Sequence, residues 1–170
     1  MDNFLILILV VLAGLWFLWT WFNKKPSDDL GISGKLVWVD HGKNTKPFFN
    51  QEYRVLGKPD LMYKISRGIL AVEYKGRSNN IYDSDIVQGL TASLAARGEG
   101  YQVARLLVRT DNNERYIDLP KSDRDLYKLV SNHVEIVRKA KQGRDLPANP
   151  GYYKCLHCAY TNSCGKKITY

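Results

Sequence analysis

The 170-residue chain has little cysteine, histidine or methionine: three, three and two residues respectively. All three cysteines, Cys155, Cys158 and Cys164, sit near the C-terminus, so no disulfide framework reaches the rest of the chain. No internal repeat or low-complexity tract is present, which excludes a solenoid or an array. Acidic residues are outnumbered, 17 against 25 basic ones, for a formal net charge of +8. That imbalance suits a polyanionic partner, whether DNA, RNA or anionic lipid, without choosing among them. Charge is missing altogether between Phe4 and Phe22.

At 1.5 Å rise per residue that uncharged run extends roughly 28 Å, about one hydrocarbon core. It is preceded by Met1-Asp2-Asn3 rather than a basic segment, shows no small-residue cleavage site, and carries Trp16, Trp19 and Trp21 towards its end. Residues 1–22 therefore read as a single-pass transmembrane anchor contacting the lipid bilayer through residues 4–22, and not as a secretory signal. Lys24 and Lys25 follow directly, which by the positive-inside rule places the remainder in the cytoplasm, at a prokaryotic inner membrane. A buried core helix is the competing reading, but the chain that follows is too short to cover a helix hydrophobic on every face. Residues 23–34, polar and containing Pro26, read as a linker. Beyond Asp2 the chain holds 25 basic and 16 acidic residues, a net +9.

What remains has room for one compact domain, 35–150, and a short tail, 151–170. Lys35 to Asp40 alternates like a strand, Gln51 to Leu56 is another, and the runs before and after Arg67-Gly68 form an antiparallel hairpin. Asp83-Ser84 can cap a helix whose apolar positions Ile86, Val87, Leu90 and Leu94 keep helical spacing as far as Gly98 or Gly100. A second hairpin joins Tyr101–Arg109 to Glu114–Leu119. A long helix then runs from Ser122 or Asp123 to about Lys141, with Leu126, Leu129, Val130, Val134 and Val137 on one face and His133 as a packed or boundary residue. The expected class is α/β: a mixed sheet flanked by helices, preceded by one N-terminal transmembrane helix.

The chemistry concentrates between Gly57 and Lys75. In Leu70-Ala71-Val72-Glu73-Tyr74-Lys75 a strand puts Glu73 and Lys75 on one face. The hairpin returns Glu73 close to Asp60, which follows Pro59. Charge alternating along a strand is ordinarily a solvated edge, but Ile69-Leu70-Ala71-Val72 reads as a buried central strand, where charge is costly unless paired or bound to metal. Two adjacent carboxylates repel, and a hard divalent cation with oxygen preference relieves that repulsion. An ammonium beside it offsets charge building on phosphorus and helps hold or deprotonate the attacking water. Lys43, Lys46, Arg54, Lys58 and Arg77 are nearby candidates for phosphate contact.

The order Gly57-Lys58-Pro59-Asp60, then Glu73-Tyr74-Lys75, then Asp85-Ile86-Val87-Gln88 on a helix resembles the PD-(D/E)xK nucleases, specifically the RecB-like exonuclease branch that includes the CRISPR-associated four-cysteine nucleases. The tail Cys155-Leu156-His157-Cys158, closed by Cys164 after five further residues and preceded by Pro147 and Pro150, is similar to the iron–sulfur tail of that branch. The resemblance implies a restriction-endonuclease-like sheet, with Asp60 and Glu73 binding Mg²⁺ or Mn²⁺, Lys75 as the catalytic lysine and Gln88 positioning lysine, metal or water. It makes His41 the candidate for an upstream histidine metal ligand. It further implies hydrolysis of DNA by a metal-activated water, leaving a 5′-phosphate and a 3′-hydroxyl, with exonuclease action on single strands or frayed ends.

Two positions depart from that pattern. The family commonly has Tyr four residues after the Gln, whereas residue 92 is Ala, and a fourth cysteine is missing. Cys155, Cys158 and Cys164 are thus candidates for an iron–sulfur cluster with an unidentified fourth ligand, for Zn²⁺, or for a metal-free remnant. The rival to a DNA nuclease is a catalytically weak or inactive nuclease-fold module that binds nucleic acid or a partner protein at the membrane. An RNA-degrading enzyme would use the same chemistry.

Overall fold

A computed structural model describes residues 12–16 and 31–168 of the chain, which divides into two units, Met1–Ser33 and Gly34–Tyr170. In the first unit residues 12–16 are helical, with Leu12, Leu15 and Trp16 exposed. The remainder of the expected anchor and most of the linker lie outside the described residues. Among the described residues no helix is long and apolar enough to cross a membrane, so the transmembrane element of the expected fold has no counterpart there.

The second unit runs β1 (Lys35–Val39), a short 3-10 turn (Gly42–Asn44), β2 (Phe48–Asn50), β3 (Val55–Gly57), β4 (Leu61–Ile65), β5 (Gly68–Tyr74), α1 (Asp83–Gly98), β6 (Val103–Arg109), β7 (Glu114–Asp118), α2 (Asp123–Lys141) and α3 (Tyr152–Leu156). Five strands form a mixed sheet in the order β1-β4-β5-β6-β7, while β2 and β3 make a separate hairpin. Neighbours in the sheet are antiparallel except β5 and β6, which are parallel and joined through α1. A parallel pair requires such a crossover.

The β4–β5 hairpin turns tightly because Gly68, paired with Ile65, sits at φ +121°, a conformation other residues rarely adopt. That places β5 at the centre of the sheet, where Leu70, Ala71 and Val72 are buried. Pleating then sorts its side chains. Ala71 and Glu73 share a face with Met62, Leu106 and Val108, their cross-strand partners or the neighbours of those partners. On that face Met62, Ala71, Leu106 and Val108 join Leu90 and Leu94 of α1 in the core. Each buried leucine contributes about 1.5–3 kcal/mol. Leu70 and Val72 point the other way with Tyr63 and Leu107, and these too are buried.

Helix α1 lies unusually close to its neighbours because the residues it turns towards them are small. A Cβ built on Gly89 would stand 2.7 Å from a Leu106 methyl, and one on Gly57 would stand 3.0 Å from the Ala92 Cα. Its N-cap is Tyr82, not Asp83 or Ser84: the Tyr82 N–H donates to Asp85 Oδ2 at 2.8 Å. The expected strand Gln51–Leu56 is instead a turn followed by a strand. Residues 51–54 form the turn of the β2–β3 hairpin, with Arg54 at φ 49°. Asn50 fixes this turn, accepting the Tyr53 N–H and donating to the Leu94 carbonyl. In α2 only Leu126 and Val130 are buried, and His133 is exposed rather than packed.

Candidate active site

The hairpin brings the end of β5 back beside the residue that opens β4. Asp60 donates its N–H to the Val72 carbonyl at 3.0 Å, accepts the Asp40 N–H on its own carbonyl, and accepts the Tyr74 N–H on Oδ2 at 2.6 Å. Its carboxylate is thereby folded against the end of β5. Glu73, one residue before Tyr74, is 1 % exposed on the face towards α1.

Lys75 continues the alternation just past the strand and donates from Nζ to Glu73 Oε1 at 2.7 Å and to Gln88 Oε1 at 2.9 Å. The sheet and α1 therefore meet at this ammonium. The other oxygen of the carboxylate, Glu73 Oε2, is buried and has no hydrogen-bond partner among the described residues. Burial, reinforced by the nearby Asp60 charge, pushes the Glu73 carboxyl up to about 7, although the hydrogen bond and charge of Lys75 pull it down. A carboxylate that costly to ionise, with an orphaned oxygen beside a second carboxylate, fits a divalent cation. Mg²⁺ in particular is commonly held by one or two carboxylates together with water and substrate phosphate.

A clamp that sequence spacing does not reveal fixes α1 against the end of β5. Arg77 forms an ion pair with Asp85, donates from Nε to the Asn80 carbonyl at 2.8 Å and lies over the Tyr82 ring. Burial pushes Asp85 up, but Arg77 and the Tyr82 N–H outweigh it and hold the carboxyl below its ordinary value. Asp85 thus anchors the first turn of the helix, and Gln88 stands one turn further on. Spacing alone shows Asp85 only as part of a motif, because its partner lies across an irregular loop.

Several expected site residues are placed elsewhere. His41 is exposed, with its N–H bonded to Thr45 Oγ1. Among the described residues no three His, Cys, Asp or Glu side chains form a group able to hold a metal, so His41 does not join Asp60 and Glu73 as a third ligand. The physical reason is the loop itself. Lys58 Nζ binds Asp40 Oδ1 and the Gly42 carbonyl, each at 2.6 Å, and holds the turn in a closed form. Lys58 is consumed in that role and Arg77 in its clamp, whereas Lys43, Lys46 and Arg54 are exposed. Cys155, Cys158 and Cys164 are free thiols that, with His157, likewise make no metal-holding group. Ala92 occupies the position of the family tyrosine, is buried, and packs against Gly57 beside the cleft described below.

A cleft of about 440 Å³ lies over this arrangement, with Asp60 and Gln88 in its wall. A family model described as the PD-(D/E)XK nuclease superfamily matches residues 10–165. The chain belongs to that superfamily. Membership in the PD-(D/E)XK nucleases implies a nucleic-acid-binding hydrolase, and Mg²⁺ or Mn²⁺ is the usual metal of such enzymes. No curated protein matches the chain significantly. Among solved structures, one titled "Crystal structure of SSO0001" is similar at 16% identity over 67% of this chain, with a TM-score of 0.38. The match covers 52% of that chain, about half its length.

Proposed function

We propose that this PD-(D/E)XK nuclease is a membrane-anchored, divalent-metal-dependent DNA nuclease of the RecB-like exonuclease kind, preferring single strands or ends. The observation that carries the reading is Glu73 Oε2, a buried carboxylate oxygen without a partner among the described residues, near Asp60 and Lys75. Asp60 and Glu73 would hold Mg²⁺ or Mn²⁺, which when bound supplies Lewis acidity towards the phosphate and eases ionisation of the attacking water.

The remaining roles belong to this chain's own groups. Lys75, held between Glu73 and Gln88, directs its ammonium at the reacting phosphate and offsets the charge gained as water adds to phosphorus. Gln88 fixes the lysine from the helix side, so that Nζ does not settle wholly on Glu73. As the new P–O bond forms and the bond to the 3′-oxygen breaks, one water proton is released and the 3′-oxygen takes up another. The products are a 5′-phosphate and a 3′-hydroxyl.

Two features support membrane attachment: the uncharged run from Phe4 to Phe22 and the exposure of Leu12, Leu15 and Trp16 within it. The full-length chain should fractionate with membranes and resist alkaline extraction, whereas a chain lacking residues 1–22 should not. Equal fractionation of the two would remove the anchor from the proposal. For the enzyme, full-length protein is incubated with labelled single- and double-stranded DNA and RNA in Mg²⁺, Mn²⁺ or EDTA. Metal-dependent cleavage of DNA, abolished in Lys75→Ala, is expected. If wild type and Lys75→Ala leave every substrate equally intact, the enzyme reading fails.

A further inference from the structure

The cleft over Asp60 and Gln88 does not end at the catalytic residues. Leu56, Val87 and Thr91 line it and also line a second depression of about 340 Å³, so the two adjoin along a groove between the β2–β3 hairpin and helices α1 and α2. The second depression combines two kinds of surface. Leu56 and Val137 in its wall are 60 % and 53 % exposed, so the wall offers apolar surface to a ligand. Around them stand Arg54, His133, Arg138 and Lys141, and among the described residues no carboxylate lines the depression.

The three permanent cations, Arg54, Arg138 and Lys141, differ in how firmly they are held. Arg138 is fixed by the Tyr53 carbonyl at 2.8 Å and by Glu135 at 2.7 Å. Arg54 and Lys141 form no ion pair among the described residues. An apolar wall under a rim of cations matches a ligand with apolar faces and regularly spaced anions. An unpaired polynucleotide strand presents both, because its base faces are open and its phosphates run alongside. A duplex hides the base faces, and each half of the groove is only the size of a small-molecule pocket.

We propose that this groove is the track along which a single polynucleotide strand lies as it enters or leaves the active site, with Leu56 and Val137 against bases and Arg54, His133 and Lys141 at phosphates. The proposal rests on the nuclease reading for its orientation towards Asp60 and Gln88, but binding is measured without catalysis. Fluorescence anisotropy in EDTA compares full-length wild type with His133→Glu/Lys141→Glu, using a labelled DNA single strand, the same sequence as RNA, and duplex DNA, across a salt series. Lys121→Glu is the control, since Lys121 lines a different depression with Arg67 and Arg97.

The double charge reversal should weaken single-strand binding about tenfold or more and lower the salt slope by about 0.7 for each phosphate that the protein no longer neutralises. The control should match wild type. Arg54→Asn keeps a residue tolerant of the left-handed backbone at that turn and should weaken binding in the same direction. RNA bound with the same dependence on Lys141 supports a single-strand track indifferent to the sugar. Unchanged affinity and slope in the double variant, an equal weakening in the control, or tighter duplex binding with the same dependence on Lys141 overturns the track. A wild type that binds this way yet cuts nothing in Mg²⁺ or Mn²⁺ refutes the nuclease reading and leaves the track standing. One that cuts while ignoring the groove variants refutes the track alone.

Discussion

Glu73 should make the metal-free domain less stable as pH rises, against the usual trend for carboxylates. Its carboxyl is raised from 4.5 to about 7, with burial the largest cause, the nearby Asp60 charge adding to it and Lys75 opposing it. The folded chain therefore binds that proton more tightly than the unfolded chain does. Stability from this group is complete below pH 4.5, declines as pH rises, and is exhausted above pH 7. At 1.36 kcal/mol for a tenfold change in proton affinity, the whole decline amounts to about 3 kcal/mol. Glu73→Gln stays neutral at every pH and still offers Lys75 an oxygen, so its stability should not fall across that window. Near pH 5 the variant should match wild type closely, and at pH 8 it should exceed it by about 2–3 kcal/mol. Trp38 is the one tryptophan in a fragment covering residues 27–170 and packs on Phe48 with ring centroids 4.9 Å apart, so its fluorescence reports urea unfolding. Asp40, Asp85 and Asp125 are held below their ordinary values and titrate outside this window, and the wild-type-minus-variant difference isolates Glu73. Mn²⁺ should reverse the trend for wild type alone, because it binds the ionised carboxylate and stabilises the folded state by mass action. A difference curve that is flat from pH 5 to 8, or that favours wild type at pH 8 in EDTA, refutes the reasoning.

Three further substitutions test the surrounding architecture. Gln88→Ala removes one of the two acceptors of Lys75, and kcat should fall about tenfold with KM little changed, as expected when a positioning group is removed. Asp85→Asn breaks the buried side of the Arg77 clamp and should cost about 2 kcal/mol in urea unfolding, less than for a fully buried pair because Arg77 is partly exposed. Gly57→Ala, which would set a Cβ 3.0 Å from the Ala92 Cα, should destabilise the domain by about 1–3 kcal/mol, read as a lowered unfolding midpoint.

The difference between what is legible in the sequence and what is not follows from the range of the interactions. Glu73 and Lys75 are readable together because strand alternation is local, and the apolar run before them marks the strand as central. Helical spacing places Gln88 in the second turn, but only the resemblance to the nuclease pattern, and not the periodicity, marks it as a site residue. The long helix, both main hairpins and the mixed sheet follow from the same two periodicities. The β2–β3 turn is not readable: Gln51 to Arg54 has no glycine or proline to mark it, and what makes it turn is Asn50 bonding to the carbonyl of Leu94, 44 residues away. Lys58 looks like a phosphate ligand because positive charge near a site is ambiguous until its partners are known, and they are Asp40 and the Gly42 carbonyl.

Ala92 carries the most instructive case, since the sequence shows it only as a missing tyrosine. In the fold it is one half of a close contact whose other half is Gly57, the residue that opens the Gly57-Lys58-Pro59-Asp60 segment. That contact seats α1 deep enough for Gln88 to reach Lys75 from the helix while Glu73 reaches it from the sheet. The Arg77–Asp85 clamp holds the same helix at its first turn. Two independent attachments thus fix one helix at the depth its glutamine requires. The departure at residue 92 is therefore tied to the packing that assembles the site, and the missing hydroxyl does not by itself argue for an inactive domain.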